Sequence, residues 1–214
     1  MIKKNKLSYI KPKLEKLDEC ILVGSSASVL NNHKINIDSY KNIFRFNRAP
    51  TNGFEESVGS RTDYRVLNNH VFENRKKWLN SEYYSNQDFD LIKNLKNTNI
   101  ILIGTKQRSH KPHKRNFTKN NNKVYTFDYT KIEKLKQNVD FKSSKNMSIG
   151  TIIISLLLIS ESKINLIGFD TEYIDTTHYW ESRPKVMSVR HDQKYEKEWL
   201  RNIISSSKNI NVLT

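Results

Sequence analysis

The sequence holds one cysteine, Cys20, and no second thiol to pair with it. An internal disulfide is excluded, which suits a reducing compartment. Long hydrophobic runs are missing too. The most apolar stretch, Ile149 to Ile159, carries Thr151 and Ser155 and falls short of the ~20 residues that cross a bilayer, so it reads as a buried helix. Met1 to Lys6 is basic, but no apolar segment follows it, and no secretory leader is expected. The expectation is a cytoplasmic protein whose contact with an anionic membrane would be peripheral. No internal repeat is present.

Acidic residues are also in deficit: 22 Asp and Glu face 37 Lys and Arg, a formal net charge of +15. That field favours anionic partners, whether nucleic acid, acidic lipid, or phosphorylated and carboxylated ligands. Part of it reflects a composition rich in Lys, Asn and Ile. The densest basic stretch, Lys106 to Lys123, reads as an exposed loop. It lacks the interleaved aromatics of single-strand binders apart from Phe117, and no helix-turn-helix or zinc pattern accompanies it. Nucleic acid is therefore not the expected partner, and a nucleic-acid or anionic-polymer binding module stays as the alternative from another class. What the chain does have is core material, with ten Tyr, nine Phe and three Trp. Its 214 residues suit one domain over 18–214, after a charged lead-in over 1–17.

From Cys20 onward, strand and helix patterns alternate. Cys20 to Val23 is an apolar run ended by Gly24-Ser25-Ser26, the form of a buried strand entering a phosphate-type turn. Asn42 to Asn47 alternates like a strand, and Tyr64 to Leu67 is another. Further strands are expected at Asn99–Ile103, Lys123–Phe127, Ile164–Ile167 and Ile210–Leu213. Helical spacing marks Val71–Leu79, Asp88–Leu95, Lys131–Val139, the segment opened by Ser148, and a last helix from His191 to about Ile204. Such alternation predicts an α/β fold, a mostly parallel sheet with helices on both faces. Ligands of such sheets sit beyond the carboxyl ends of the strands. Gly24 and Gly168 both fall at strand ends.

Four separated segments carry a family resemblance. Cys20-Ile-Leu-Val-Gly24-Ser-Ser-Ala-Ser, Phe44-Arg-Phe-Asn47-Arg-Ala-Pro-Thr51 and Gly53-Phe-Glu-Glu-Ser-Val-Gly-Ser-Arg-Thr62 form a long ordered set. Ser148-Ile-Gly150-Thr151 leads through the apolar helix to Gly168-Phe169, and His178-Tyr-Trp-Glu181 and His191-Asp-Gln-Lys-Tyr-Glu196 follow. Together they resemble the L, S, III and VS motifs of the animal-type sialyltransferase family, across residues 20–70 and 146–200. His178 to Glu181 has the form found in the branch that sialylates galactose at its 3-hydroxyl. The resemblance implies a single Rossmann-like nucleotide-binding domain, a glycosyltransferase-A-like variant. It implies a CMP-activated sugar donor, a galactose-containing glycan or glycolipid acceptor, and no metal or other cofactor. The donor-pocket candidates are Gly24, Ser25, Ser26, Asn47, Asn68, Ser148, Gly150, Thr151, Gly168, Phe169 and Asp170. Tyr125 and Tyr129 stand as candidates for a phosphate-binding tyrosine.

The chemistry of the two histidines agrees with that resemblance. The acceptor hydroxyl must lose a proton as it attacks the anomeric carbon, and a neutral imidazole is a suitable base. His191 takes that role. His178 is assigned to the departing phosphate, where charge develops, and Glu196 to structural support. Ser148 is a good N-cap, and the free amides of a helix start attract phosphate oxygens. Departures from the family pattern exist. Ser25 stands where the family has Asn, Ile149 where it has Thr, and the partner of the family's L-motif cysteine is replaced near Glu161. The Asp88-Phe-Asp90 triplet matches a metal-binding form, but as acids at a helix start it needs no metal. His110 and His113 read as part of the basic loop. Asp170, Glu172 and Asp175 suit a solvated loop better than a glycosidase pair. Transfer of another CMP-activated acidic sugar, of Kdo or legionaminic type, stays open.

Overall fold

The computed structural model describes residues 16–68, 92, 95–104, 114, 117–170, 178–180 and 191–213. Seven strands form one sheet: β1 (Glu19–Val23), β2 (Ile43–Phe46), β3 (Tyr64–Asn68), β4 (Asn99–Ile103), β5 (Lys123–Phe127), β6 (Lys163–Ile167) and β7 (Ile210–Val212). Their order is β5-β4-β3-β2-β1-β6-β7, and every pairing is parallel. Buried parallel strands read as continuous apolar runs, which is why ILV, IILI and INLI were legible. The chain winds outward from β1 to β5 and then crosses to the other side of β1 with β6. The strand order therefore reverses between β1 and β6, the place where open α/β sheets bind ligands.

Four helices are described: α1 (Glu55–Val58), α2 (Tyr129–Asn138), α3 (Ile149–Ile159) and α4 (Gln193–Ser206). One sheet face, with Leu22, Phe44, Val66 and Leu166, packs on α3, whose residues Thr151 to Leu158 are all buried, and on Leu135 and Trp199 of α2 and α4. The opposite face gathers Ile21, Val23, Ile43 and Ile167 with Val29, Ile37, Val58 and Tyr179. Cys20 is fully buried, its thiol donates to the Lys163 carbonyl, and burial pushes it up to about 12. It is a core residue, not a nucleophile.

Three sequence expectations change. Phe117 is only 5% exposed and packs with Leu67, Ile100, Leu102 and Ile92, so the Lys106–Lys123 stretch is not exposed throughout. Buried Asn122 fixes its end, donating to the Leu95 and Phe117 carbonyls and accepting from the Thr98 amide. The last helix begins at Gln193, not His191, because Asp192 caps it by accepting from the Tyr195 amide. Leu17, placed in the lead-in, docks on the core and donates its amide to Ser162. The helix over Val71–Leu79, the Asp88-Phe-Asp90 triplet, His110 and His113 lie outside the described residues. No helix among the described residues is long and apolar enough to cross a membrane.

Candidate functional site at the switch between β1 and β6

The two strand-end glycines meet as the crossover requires. The Gly24 amide donates to the Ile167 carbonyl at 2.7 Å, and the Ser26 amide to the Gly168 carbonyl at 3.3 Å. A Cβ on Gly24 would lie 2.1 Å from the Gly168 oxygen, so only glycine permits this approach. Gly168 has a φ of +69°. Phe169 then turns under α3. Its ring meets Phe46 edge-on at 5.7 Å, and a Cβ on Gly150 would sit 3.0 Å from it. Gly150 therefore makes room for Phe169.

The turn after β1 is clamped from two directions. The Ser26 and Ser28 hydroxyls both donate to the Asp170 carboxylate, the second at 2.5 Å. Asp170 thus joins the ends of β1 and β6, so it enters the site through the serines. On the other side, His178 forms an antiparallel bridge with Ser26, and the Tyr179 amide donates to the Ser25 carbonyl at 3.0 Å. The Tyr179 hydroxyl donates to the Pro50 carbonyl, and its ring meets Phe54 at 5.1 Å. Burial pushes the Tyr179 phenol up to about 12, with Arg45 and Arg65 pulling the other way. The His178 ring lies stacked on Trp180, centroids 4.5 Å apart and planes 16° from parallel.

Asn47 ends β2 with a φ of +46°, a conformation asparagine tolerates better than most side chains. Its side-chain oxygen accepts from the Asn68 amide at 3.1 Å, and its NH2 group makes no hydrogen bond among the described residues. The side-chain oxygen of Asn68 is buried without a hydrogen-bond partner. Such an orphan calls for an explanation, and a ligand donor supplies one.

The third side is the start of α3. Ser148 caps it, accepting from the Thr151 amide at 3.2 Å. Glu196, in the first turn of α4, accepts from the Ser148 amide at 2.8 Å and from the Thr151 hydroxyl at 2.6 Å. A helix start leaves its first amides, here those of Ile149 and Gly150, without an intrahelical partner at the positive end. His191 precedes the α4 cap and pairs its Nδ1 with the Asn146 carbonyl at 3.0 Å. A carbonyl only accepts, so Nδ1 carries the proton and Nε2 the lone pair. The imidazole is 34% exposed and its Nδ1 lies 3.8 Å from Glu196. Glu196 thus ties the starts of α3 and α4 together, a supporting role.

Tyr125 and Tyr129 are not brought to this crevice. Both belong to the β5 edge, four strands or about 19 Å from β1. Two residues gain roles that the sequence did not assign: Asn146, whose backbone carbonyl bonds His191, and Trp180, quoted within the His178–Glu181 segment, which braces His178. The first gives no side-chain signal; the second is visible as an aromatic two residues on.

Comparisons with known proteins bear on the family and the fold. A family model described as glycosyltransferase family 29 (sialyltransferase) matches residues 1–208. Beta-galactoside alpha-2,6-sialyltransferase 2 of Bos taurus is 38% identical over 69 residues, 32% of this chain and 14% of that protein. Beta-galactoside alpha-2,6-sialyltransferase 1 of Mus musculus is 32% identical over 68 residues, 31% of this chain and 17% of that protein. The matches therefore span under a fifth of either relative. Their names do not support the 3-hydroxyl branch expected from His178 to Glu181. In fold, the chain is similar to a mammalian sialyltransferase solved with Gal-beta-1-3GalNAc-ortho-nitrophenol, with a TM-score of 0.65 at 18% identity, covering 95% of this chain and 71% of that one. It is also similar to a point variant of the sialyltransferase CST-II solved with CMP, with a TM-score of 0.52 at 12% identity, covering 92% and 81%. With the family model running through nearly the whole sequence, this chain belongs to glycosyltransferase family 29, the sialyltransferases.

Proposed function

We propose that the chain transfers a sialic-acid-type sugar from its CMP-activated donor to a galactose-type hydroxyl, by a single displacement that inverts the anomeric centre and needs no metal. The observation that carries this reading is the Glu196 bridge, which holds the open start of α3 beside His191. The donor phosphate would sit on the Ile149 and Gly150 amides. Asn47 and Asn68 would hold the nucleotide with the amide and oxygen left over from their mutual bond.

In the reaction, Nε2 of His191 takes the acceptor's hydroxyl proton as that oxygen bonds to the anomeric carbon. The bond from that carbon to the phosphate oxygen breaks, and CMP leaves with the electron pair. His178, fixed beside the Ser26 turn, would stabilise the charge on the phosphate. Action in the cytoplasm on a glycan or glycolipid is part of the same proposal.

The test is to incubate the purified protein, in excess EDTA, with CMP-sialic acid, CMP-Kdo or a CMP-legionaminic-type donor and a panel of galactosides. Products are read by mass and linkage. Transfer from CMP-sialic acid with inversion is expected. Transfer only from another donor would change the sugar and keep the mechanism. No transfer from any CMP donor would overturn the reading.

A further inference from the structure

His191 stands just ahead of the α4 cap, so no hydrogen bond of that helix fixes its ring. The ring is held by the Asn146 carbonyl at 3.0 Å, and the two residues pair as a parallel bridge. The base is therefore placed only as well as the strap of backbone from Lys142 to Ser148.

That strap is fastened to the start of α4 along its length. The Lys142 amide donates to the Tyr195 hydroxyl at 2.8 Å, and the Ser148 amide to Glu196 at 2.8 Å. Between them, the Ser143 hydroxyl donates to the Asp192 carboxylate at 3.1 Å. The same oxygen accepts from the Lys145 amide at 3.2 Å, a serine turn that bends the strap just before Asn146. From α2, Lys136 reaches the Ser143 carbonyl at 3.4 Å and pairs with Glu133 at 3.3 Å. Lys136 is 6% exposed. A buried ammonium needs such acceptors, and here one of them is the strap itself.

These bonds close a ring around the base. From Ser143 Oγ the path runs through Asp192 to its neighbour His191, across the imidazole to Asn146, and back through Lys145. Asp192 is fixed in turn, since its other oxygen accepts from the Tyr195 amide at 3.3 Å. The bond from Ser143 to this carboxylate is charge-assisted, the stronger kind. A plain turn in a surface loop would account for the Lys145 bond but not for the one to Asp192. We infer that Ser143 is a positioning residue, its hydroxyl holding the His191 imidazole in line for the acceptor's proton. It does so without touching substrate. This inference rests on the transferase reading above, with His191 as base.

The experiment is a double-mutant cycle read by single-turnover transfer. A reacting group displaced by ~1 Å can lose about a hundredfold in rate, so the loss of one tether should cost less, about tenfold. Ser143→Ala, shown folded by its melting curve, should slow transfer by that factor and leave CMP affinity within about twofold of the parent's. In a His191→Ala background the same substitution should change the residual rate less than about twofold, because its effect passes through the imidazole. Equal slowing in both backgrounds would show a merely structural serine and overturn the inference, as would a parental rate in Ser143→Ala. A second readout needs no transfer. Nitrogen NMR of the labelled imidazole, at a pH where the ring is neutral, should place the proton on Nδ1 in the parent. In Ser143→Ala, with the Asn146 bond loosened, both tautomers should appear. A single Nδ1 tautomer in that variant would also end the inference. If the parent transfers nothing from any CMP donor, the transferase reading fails. If the parent transfers and the cycle shows equal slowing, only the Ser143 inference fails.

Discussion

Glu196 and Ser148, 48 residues apart, are joined by a 2.8 Å hydrogen bond from the serine amide to the carboxylate. Through it, the first turn of α4 caps the first turn of α3. One side chain thereby sets the relative placement of the open amides and of His191, whose ring is bonded to the Asn146 carbonyl just before Ser148.

Replacing Glu196 with Ala should strip both bonds at once. The buried donors left behind cost about 1–3 kcal/mol, seen as a lower melting temperature. CMP affinity and turnover should fall together, since the phosphate seat and the base move. A variant that melts earlier but transfers sugar at the parent rate would separate the cap from the site.

His191→Ala should behave differently. Proton removal occurs only as bonds change, so turnover should drop by about two to four orders of magnitude while CMP affinity stays. Single-turnover rates with calorimetric CMP titration check this. A folded variant that transfers at the parent rate would mean another base.

Two glycines give a steric contrast. Gly24→Ala places a Cβ 2.1 Å from the Gly168 carbonyl oxygen, whereas Gly53, with a φ of +82°, has open space around it. Gly24→Ala should lose CMP binding and at least about 1–3 kcal/mol of stability, because backbone must shift. Gly53→Ala carries only conformational strain, about 1 kcal/mol. Parallel melting curves and CMP titrations compare them.

Tyr179 predicts an alkaline limb. Its folded pKa is raised from 10.0 to about 12, chiefly by burial. The neutral phenol's contribution is therefore full below pH ~10 and lost as pH rises towards 12, because the unfolded chain ionises first. Tyr179→Phe should be less stable at neutral pH by about 1 kcal/mol, for the lost bond to Pro50. Its stability should then fall less steeply than the parent's between pH 10 and 12. Identical alkaline slopes would remove Tyr179 as the source.

The sheet was legible where burial on both faces leaves unbroken apolar runs, as in Asn99–Ile103, and the cap at Ser148 was legible from its own chemistry. The burial of Arg45 was not, because alternation cannot distinguish a solvent face from one lined by backbone carbonyls, here those of Val58 and Arg61. Phe117 was hidden by its basic, Asn-rich neighbours. The role of Asp170 was out of reach for a different reason: its partners, Ser26 and Ser28, lie 144 and 142 residues away. Motif resemblance pointed to Asp170 by its place in the chain, and the hydrogen bonds add the two serines it joins.

The seam between Gly24 and Gly168 carries a thermodynamic consequence. Where the two strand ends touch, Gly24 and Gly168 carry no side chain, so a ligand settling there would freeze no rotamer of theirs. The ordering entropy of binding must then fall on the walls, above all on the side chains of Asn47, Asn68 and His178. Affinity gained by stiffening those walls would come with little change in the seam.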